Sequence, residues 1–262
     1  MIKEWNSLAE DWDKTMKEGD WFQRYIIYPE LVKLCGVVEG KAIIDVGCGN
    51  GHLSRFFRTL GAKVMGVDSS QYMVEKCCSH ESDIDFACVD ITEPVTIERT
   101  FDFAVFNNSL QDMPHFEKGI KNTCDLLENQ GQLLIVVKHP CFHPKSVDLG
   151  WKIHTKDGRE LMTGSGLTHL ALNETDYTGE YFMMDDYLVG DEHVREWFGK
   201  KTTSYARTLQ DYINTIIDCG FVLKGIYEPA PIVEGKEENE SLYELLTRIP
   251  NFIFIQAIKQ ER

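Results

Sequence analysis

The chain has no C-x-x-C pair, no zinc-ligand spacing, no basic cluster and no apolar stretch approaching the run of about 18 residues that a membrane helix requires. Each absence removes a class of function. Without an apolar run, nothing is expected to span a membrane. Without ligand spacing, no metal site is expected. The eight cysteines, Cys35, Cys48, Cys77, Cys78, Cys88, Cys124, Cys141 and Cys219, are scattered through apolar segments. That usage fits small buried hydrophobes in a reducing cytoplasm better than a disulfide framework. The opening residues, MIKEWNSLAEDWDK, read neither as a signal peptide nor as an anchor. Positive charge is scarce: 27 Lys and Arg stand against 42 Asp and Glu, a net charge of −15. Such a chain repels phosphate backbones, so no nucleic-acid partner is expected.

What is present centres on Lys41 to Asp68, KAIIDVGCGNGHLSRFFRTLGAKVMGVD. Ala42 to Val46 is a short apolar strand with an acid, Asp45, near its end. Gly47-Cys48-Gly49-Asn50-Gly51 places three glycines in five residues. Leu53, Phe56, Phe57 and Leu60 then mark one helix face, and Ala62 to Val67 is a second strand closed by Asp68. Glycines let a ligand approach the main chain, and a helix start offers free N–H groups. A carboxylate at the end of the second strand suits a ribose diol. A nucleoside-containing cofactor is expected at the carboxyl ends of parallel strands.

The pattern is not the dinucleotide fingerprint G-x-G-x-x-G. The third glycine comes one residue early, at Gly51, and His52 takes the fingerprint's last position. Asp45 would face a pyrophosphate badly but suits a cofactor carrying an ammonium and a sulfonium. These features speak against a nicotinamide-dependent oxidoreductase and for S-adenosylmethionine. Asp45-Val46-Gly47-Cys48-Gly49-Asn50-Gly51 with Asp68 resembles the first two motifs of the class I S-adenosylmethionine-dependent methyltransferases.

That resemblance implies a Rossmann-like, seven-stranded, doubly wound α/β sheet with N-terminal helices and a final antiparallel edge. It covers Ile43 to Ile135 well and the C-terminal elements loosely. Cofactor contacts are expected from Gly47, Cys48 and Gly49, from Asp45, Asp68 and Ser69, and from Met73 beside the adenine. Asp90 would accept the adenine amino group, with Ile91 next to it. Amphipathic helices through Met16 and from Trp21 to Leu34, the second divided at Pro29, would pack over the pocket, with Arg24 and Tyr25 reaching the cofactor carboxylate. Trp5 and Trp12 read as core. The loop Asn107 to Asp112 should lie where the methyl is transferred, with Asn107 toward the cofactor and Asn108 toward the acceptor. It lacks the N-P-P-Y or D-P-P-Y tetrapeptide of nucleobase and glutamine methylation. Lys138-His139-Pro140-Cys141-Phe142 resembles a subgroup related to the ubiquinone-type small-molecule enzymes. His139 is the expected base, or at least lines the acceptor site.

Lys145 to Tyr205 interrupts the α/β alternation and is expected to be a substrate cap, with Tyr181, Tyr187 and Trp197 lining it. Phe198, Asp185 and Asp186 are further candidates. The whole chain reads as one domain, 1–262, with a helical lid over 1–38 and an inserted cap over 145–205. The expected function is methyl transfer to a small molecule by in-line displacement, with a homodimer left open. The rival readings are a cofactor-binding protein without catalysis and a methyltransferase acting on protein or RNA. The acceptor itself is not legible.

Overall fold

The computed structural model describes residues 2–80, 83–142, 152–155, 160–162, 177–181, 187–188, 190 and 192–260, the three short segments between 152 and 181 by their backbone alone. The core is one seven-stranded sheet. Its strands are β1 (Ala42–Val46), β2 (Lys63–Asp68), β3 (Asp85–Cys88), β4 (Phe101–Asn107), β5 (Leu127–Lys138) and a C-terminal pair. Between β5 and that pair come β6 (Lys152–Thr155), β7 (Glu160–Met162), β8 (Tyr177–Tyr181), β9 (Glu192–Trp197) and β10 (Lys200–Tyr205). The pair is β11 (Phe221–Tyr227) and β12 (Phe252–Lys259). The sheet order is β11-β12-β5-β4-β1-β2-β3. β1 pairs in parallel with β2 and β4, as do β2 with β3 and β4 with β5, while β12 runs antiparallel to both β5 and β11. Strand order reverses between β1 and β4, so a crevice opens at their carboxyl ends.

Helices cover both faces, which is why the central strands read as continuous apolar runs rather than alternating ones. On one face α5 (Phe116–Leu126) and α6 (Leu209–Asp218) bury Ile120 and Ile216 against Phe106, Leu133 and Ile255. On the other, α2 (Tyr28–Cys35) and α3 (His52–Thr59) bury Leu31, Leu53 and Phe57 against Ile43, Val105 and Phe254. α4 (Gln71–His80) follows β2, and Ser70 caps it by accepting the Met73 N–H at 3.2 Å. The C-terminal excursion holds two short helices, α7 (Glu234–Glu238) and α8 (Glu240–Leu246).

The expected break at Pro29 takes a specific form. Gln23–Ile27 is a π-helical turn that runs directly into α2. Pro29 has no N–H to give the Tyr25 carbonyl, and the Ile232 N–H takes that carbonyl instead at 2.9 Å. β5 begins earlier than the expected Gln132: Leu127 pairs with Phe101, and the register shifts before Phe103 pairs with Gln132.

α1 (Ile2–Met16) lies over the carboxyl edge and is tied down from both sides. Ser70 Oγ donates to Asn6 Oδ1 at 2.6 Å from α4's start. From the inserted segment, the Thr203 N–H bonds Glu4 at 3.0 Å and Lys200 bonds Asp11 at 2.7 Å. β9 and β10 form an antiparallel hairpin, while β6, β7 and β8 form a separate three-stranded antiparallel sheet. Among the described residues, no helix is long and apolar enough to cross a membrane.

Candidate functional site

The carboxyl ends of β1 to β5, roofed by α1 and the β9–β10 hairpin, enclose a cavity of about 280 Å³. Its floor is the glycine turn. Gly47 and Gly49 have φ of +73° and +56°, a region that side chains disfavour. A Cβ on Gly47 would also stand 2.4 Å from Ser109 Cβ. These two positions must be glycine for the turn to pass beneath a ligand.

Three carboxylates line the end beside β1, β2 and β3. Asp45 is buried and accepts Ser54 Oγ at 2.6 Å. Burial, with the nearby Asp68 charge, pushes its pKa up to about 7. Asp68 accepts one main-chain N–H on each oxygen, Gly49 at 2.9 Å and Ser70 at 2.8 Å, and burial still raises it to about 6. Asp90 accepts the Thr92 N–H at 3.0 Å and hydroxyl at 2.7 Å on a single oxygen, Oδ1. Among the described residues no basic side chain bonds any of the three. This donor set suits a ligand that brings its own positive charge and a pair of hydroxyls. Asn108 and Gln111 line the cavity, and among the described residues their Oδ1 and Oε1 atoms are buried without a hydrogen-bond partner. The residues fit S-adenosylmethionine.

Of the expected cofactor residues, Asp45, Gly47, Cys48, Gly49, Asp68, Ser69, Met73, Asp90, Ile91 and Asn107 all line this cavity. Arg24 and Tyr25 do not. They turn outward onto α7, where Arg24 grips Glu238 through both oxygens at 2.7 and 2.9 Å and Tyr25 donates to it at 2.8 Å. The π turn explains the miss, because it changes which residues of the segment face inward. Phe22 and Gln23 line the cavity instead, and Asn107 Nδ2 donates to Gln23 Oε1 at 3.0 Å. Trp5 and Trp12, expected in the core, also line the cavity. Trp12 meets Trp5 and Trp197 edge to face, at 5.3 and 5.6 Å between ring centroids. Helical periodicity put both on an inward stripe but did not show that the stripe faces a chamber.

Of the residues expected at the acceptor, Asn108 and Trp197 line the cavity with Phe198. Tyr187 is elsewhere, its hydroxyl accepting the Leu209 N–H at 2.9 Å. The side chain of Tyr181, and Asp185 and Asp186 altogether, lie outside the described residues. His139 is not placed as a base. It is 2% exposed, away from the cavity lining, with both ring nitrogens engaged. Nδ1 accepts the Cys141 N–H at 3.1 Å, so Nε2 carries the proton and donates to Glu228 at 2.6 Å. Its predecessor on β5, Lys138, takes the inward position by strand alternation. Lys138 and Arg195 are the two Lys or Arg side chains of the lining; neither was a candidate site residue from the sequence, because lone cations carry no spacing signal.

Residues 43–131 match the family model described as a methyltransferase domain. Over those residues the chain is a methyltransferase domain, and its sheet has the fold of the S-adenosylmethionine-dependent methyltransferases. S-adenosylmethionine is the methyltransferase's cofactor. It is 29% identical over 139 residues to a ubiquinone biosynthesis O-methyltransferase of Coxiella burnetii, covering 50% of this chain and 58% of that relative. It is 30% identical over 153 residues to a trans-aconitate 2-methyltransferase of Escherichia coli, covering 55% and 60%. The methyltransferase thus spans about three fifths of the length of these curated relatives. The fold matches that of an S-adenosylmethionine-dependent methyltransferase from Mesorhizobium loti with a TM-score of 0.70 at 23% identity, over 88% of this chain and 97% of that one.

Proposed function

We propose that this methyltransferase acts on a small-molecule acceptor bound in the same cavity as the cofactor. The observation that carries this reading is the roof. α1 and the β9–β10 hairpin place Trp5, Trp12, Trp197 and Phe198 over the strand ends, around a partly covered cavity of about 280 Å³, which supports a small acceptor over a macromolecule. The relatives named for ubiquinone and trans-aconitate lend support, since both names denote small acceptors. On this reading the segment 145–205 is a substrate cap that contributes its C-terminal hairpin to the chamber.

Each group has a role that follows from its chemistry. Asp68 receives the ribose hydroxyls through the lone pairs its two main-chain donors leave free. Asp90 receives the adenine amino group. Asp45, once ionised, supplies negative potential where positive charge must rest. When bound, the cofactor supplies an electrophilic methyl group on a sulfonium. The walls exclude water and hold an acceptor in line, and such alignment supplies about 7–11 kcal/mol of a barrier in well-oriented systems. His139 takes no proton in this scheme, because both of its nitrogens are committed to Glu228 and Cys141.

Calorimetric titration with S-adenosylhomocysteine tests the cofactor half, beside Gly49→Arg and an NADH control. Binding is expected to be lost in the variant and absent with NADH. Small acids, phenols and amines are then screened for methyl transfer from labelled cofactor. Transfer to intact proteins or RNA, with none to small molecules, would overturn the proposal.

A further inference from the structure

Two cations, Lys138 and Arg195, line the cavity, and among the described residues neither forms an ion pair. Lys138 ends β5, and its ammonium lies over the rings of Phe252 and Phe22, at 4.3 and 4.8 Å from their centroids. Among the described residues it forms no hydrogen bond or ion pair. Arg195, on β9, makes one bond: its Nε donates to His193 Nε2 at 3.2 Å. Its two terminal nitrogens bond nothing among the described residues. Asp112 is near enough to feel the Arg195 charge, yet it forms no ion pair with it and instead accepts the Ser204 hydroxyl. Burial, with the Arg195 charge, lowers the Lys138 pKa to about 7 against the opposing pull of Asp20.

Two like charges in one desolvated chamber repel; Asp20 and Asp112 act on them from a distance, but among the described residues neither acid forms an ion pair with either cation. The arrangement is complete only with an anion between them. The guanidinium offers a planar fork of free N–H groups that matches a carboxylate, and the ammonium adds a point charge beside it. Phe22, Phe252 and Trp197 give apolar walls for the rest of such a molecule. The acids of the lining, Asp20 and Asp112 among them, disfavour a dianion such as a phosphate monoester. β5 lies two strands from β1 in the sheet, about 9–10 Å at the usual strand spacing. Lys138 therefore enters the chamber two strands away from Asp45.

We infer that Lys138 and Arg195 form a carboxylate clasp, and that the acceptor is an organic acid held by its carboxylate. This rests on the methyl-transfer reading above. A carboxylate has two sources here, the acceptor and the cofactor's own amino-acid moiety, and the experiment must separate them.

Calorimetry on the protein saturated with S-adenosylhomocysteine compares a panel of aromatic and aliphatic monocarboxylates with their neutral amides and with phenyl phosphate. At least one carboxylate is expected to bind ten-fold or more tightly than its amide. Arg195→Gln and Lys138→Met are expected to abolish that preference while changing affinity for S-adenosylhomocysteine less than two-fold, which also reports correct folding. In a parallel arm, methylthioadenosine, which lacks the amino-acid moiety, replaces S-adenosylhomocysteine. If Arg195→Gln weakens S-adenosylhomocysteine but not methylthioadenosine, the clasp serves the cofactor and the inference is overturned. It is overturned equally if no carboxylate is preferred to its amide in protein that binds S-adenosylhomocysteine, or if phenyl phosphate is preferred. Failure of the wild type to bind S-adenosylhomocysteine would instead sink the methyl-transfer reading, and this inference with it.

Discussion

Asp68 is the residue on which the cofactor end turns. Its oxygens fix the Gly49 and Ser70 N–H groups and still face the cavity. Replacing it with Asn removes the charge and leaves one of those donors facing an NH₂ group. Asp68→Asn is expected to weaken S-adenosylhomocysteine binding at least ten-fold by calorimetry, about 1.4 kcal/mol. His139 makes the opposite point. A buried imidazole bonded through both nitrogens stabilises the junction of β5 with the Glu228 loop, and His139→Ala leaves the Cys141 N–H without its acceptor. A loss of about 1–3 kcal/mol in denaturant unfolding is expected, with S-adenosylhomocysteine affinity changed less than two-fold. A large loss of affinity would return His139 to the site. The sequence pointed to Asp68, which lines the cavity, because an acid ending a strand after a glycine turn has few other uses. It misread His139 because strand alternation at the end of β5 turns Lys138, not its neighbour, into the chamber.

At the scale of elements, the N-terminal segment decides what reaches the cavity. Pro29 withdraws one helical N–H, the Tyr25 carbonyl turns to Ile232, and the π turn carries Arg24 out to Glu238. Arg24→Ala is therefore expected to leave S-adenosylhomocysteine affinity unchanged, while a ten-fold loss would show that the residue reaches the ligand. α6 offers a test of local stability. Its capping box joins the Thr208 side chain to the Asp211 N–H and the Asp211 side chain to the Thr208 N–H. Thr208→Ala should destabilise the fold by about 1 kcal/mol in thermal or denaturant unfolding. The T-x-x-D signature of that cap stands in the sequence. A π turn leaves no such signature, since Pro29 announces a break but not its geometry.

At the scale of the molecule, buried acids give stability a pH dependence. Asp45 and Asp68 titrate near 7 and 6 in the folded chain, against about 3.9 for an unfolded Asp. Folded pKa values raised in this way favour the native state fully below about pH 4, and that contribution is lost as pH rises through 6 and 7. The ligand-free protein should therefore lose stability from these groups between about pH 4 and 7, and Asp45→Asn should flatten the curve. A cationic ligand prefers both acids ionised, so S-adenosylmethionine affinity should rise over the same interval. An unchanged slope in the variant would show that Asp45 ionises freely.

The sequence by itself determined the α/β alternation, the glycine turn and the acids that end β1 and β2 or follow β3. Local sterics and strand periodicity dictate these wherever the chain goes, and they implied the cofactor. Only the tertiary structure decided which side chains share the chamber. Trp5 and Trp12 come from α1, Arg195 and Trp197 from a hairpin nearly two hundred residues later, and Lys138 from the middle of the chain. Their meeting depends on α1 being pinned between α4 and β10 through Asn6, Glu4 and Asp11. Such contacts join residues with no common period or spacing, so no pattern along the chain records them.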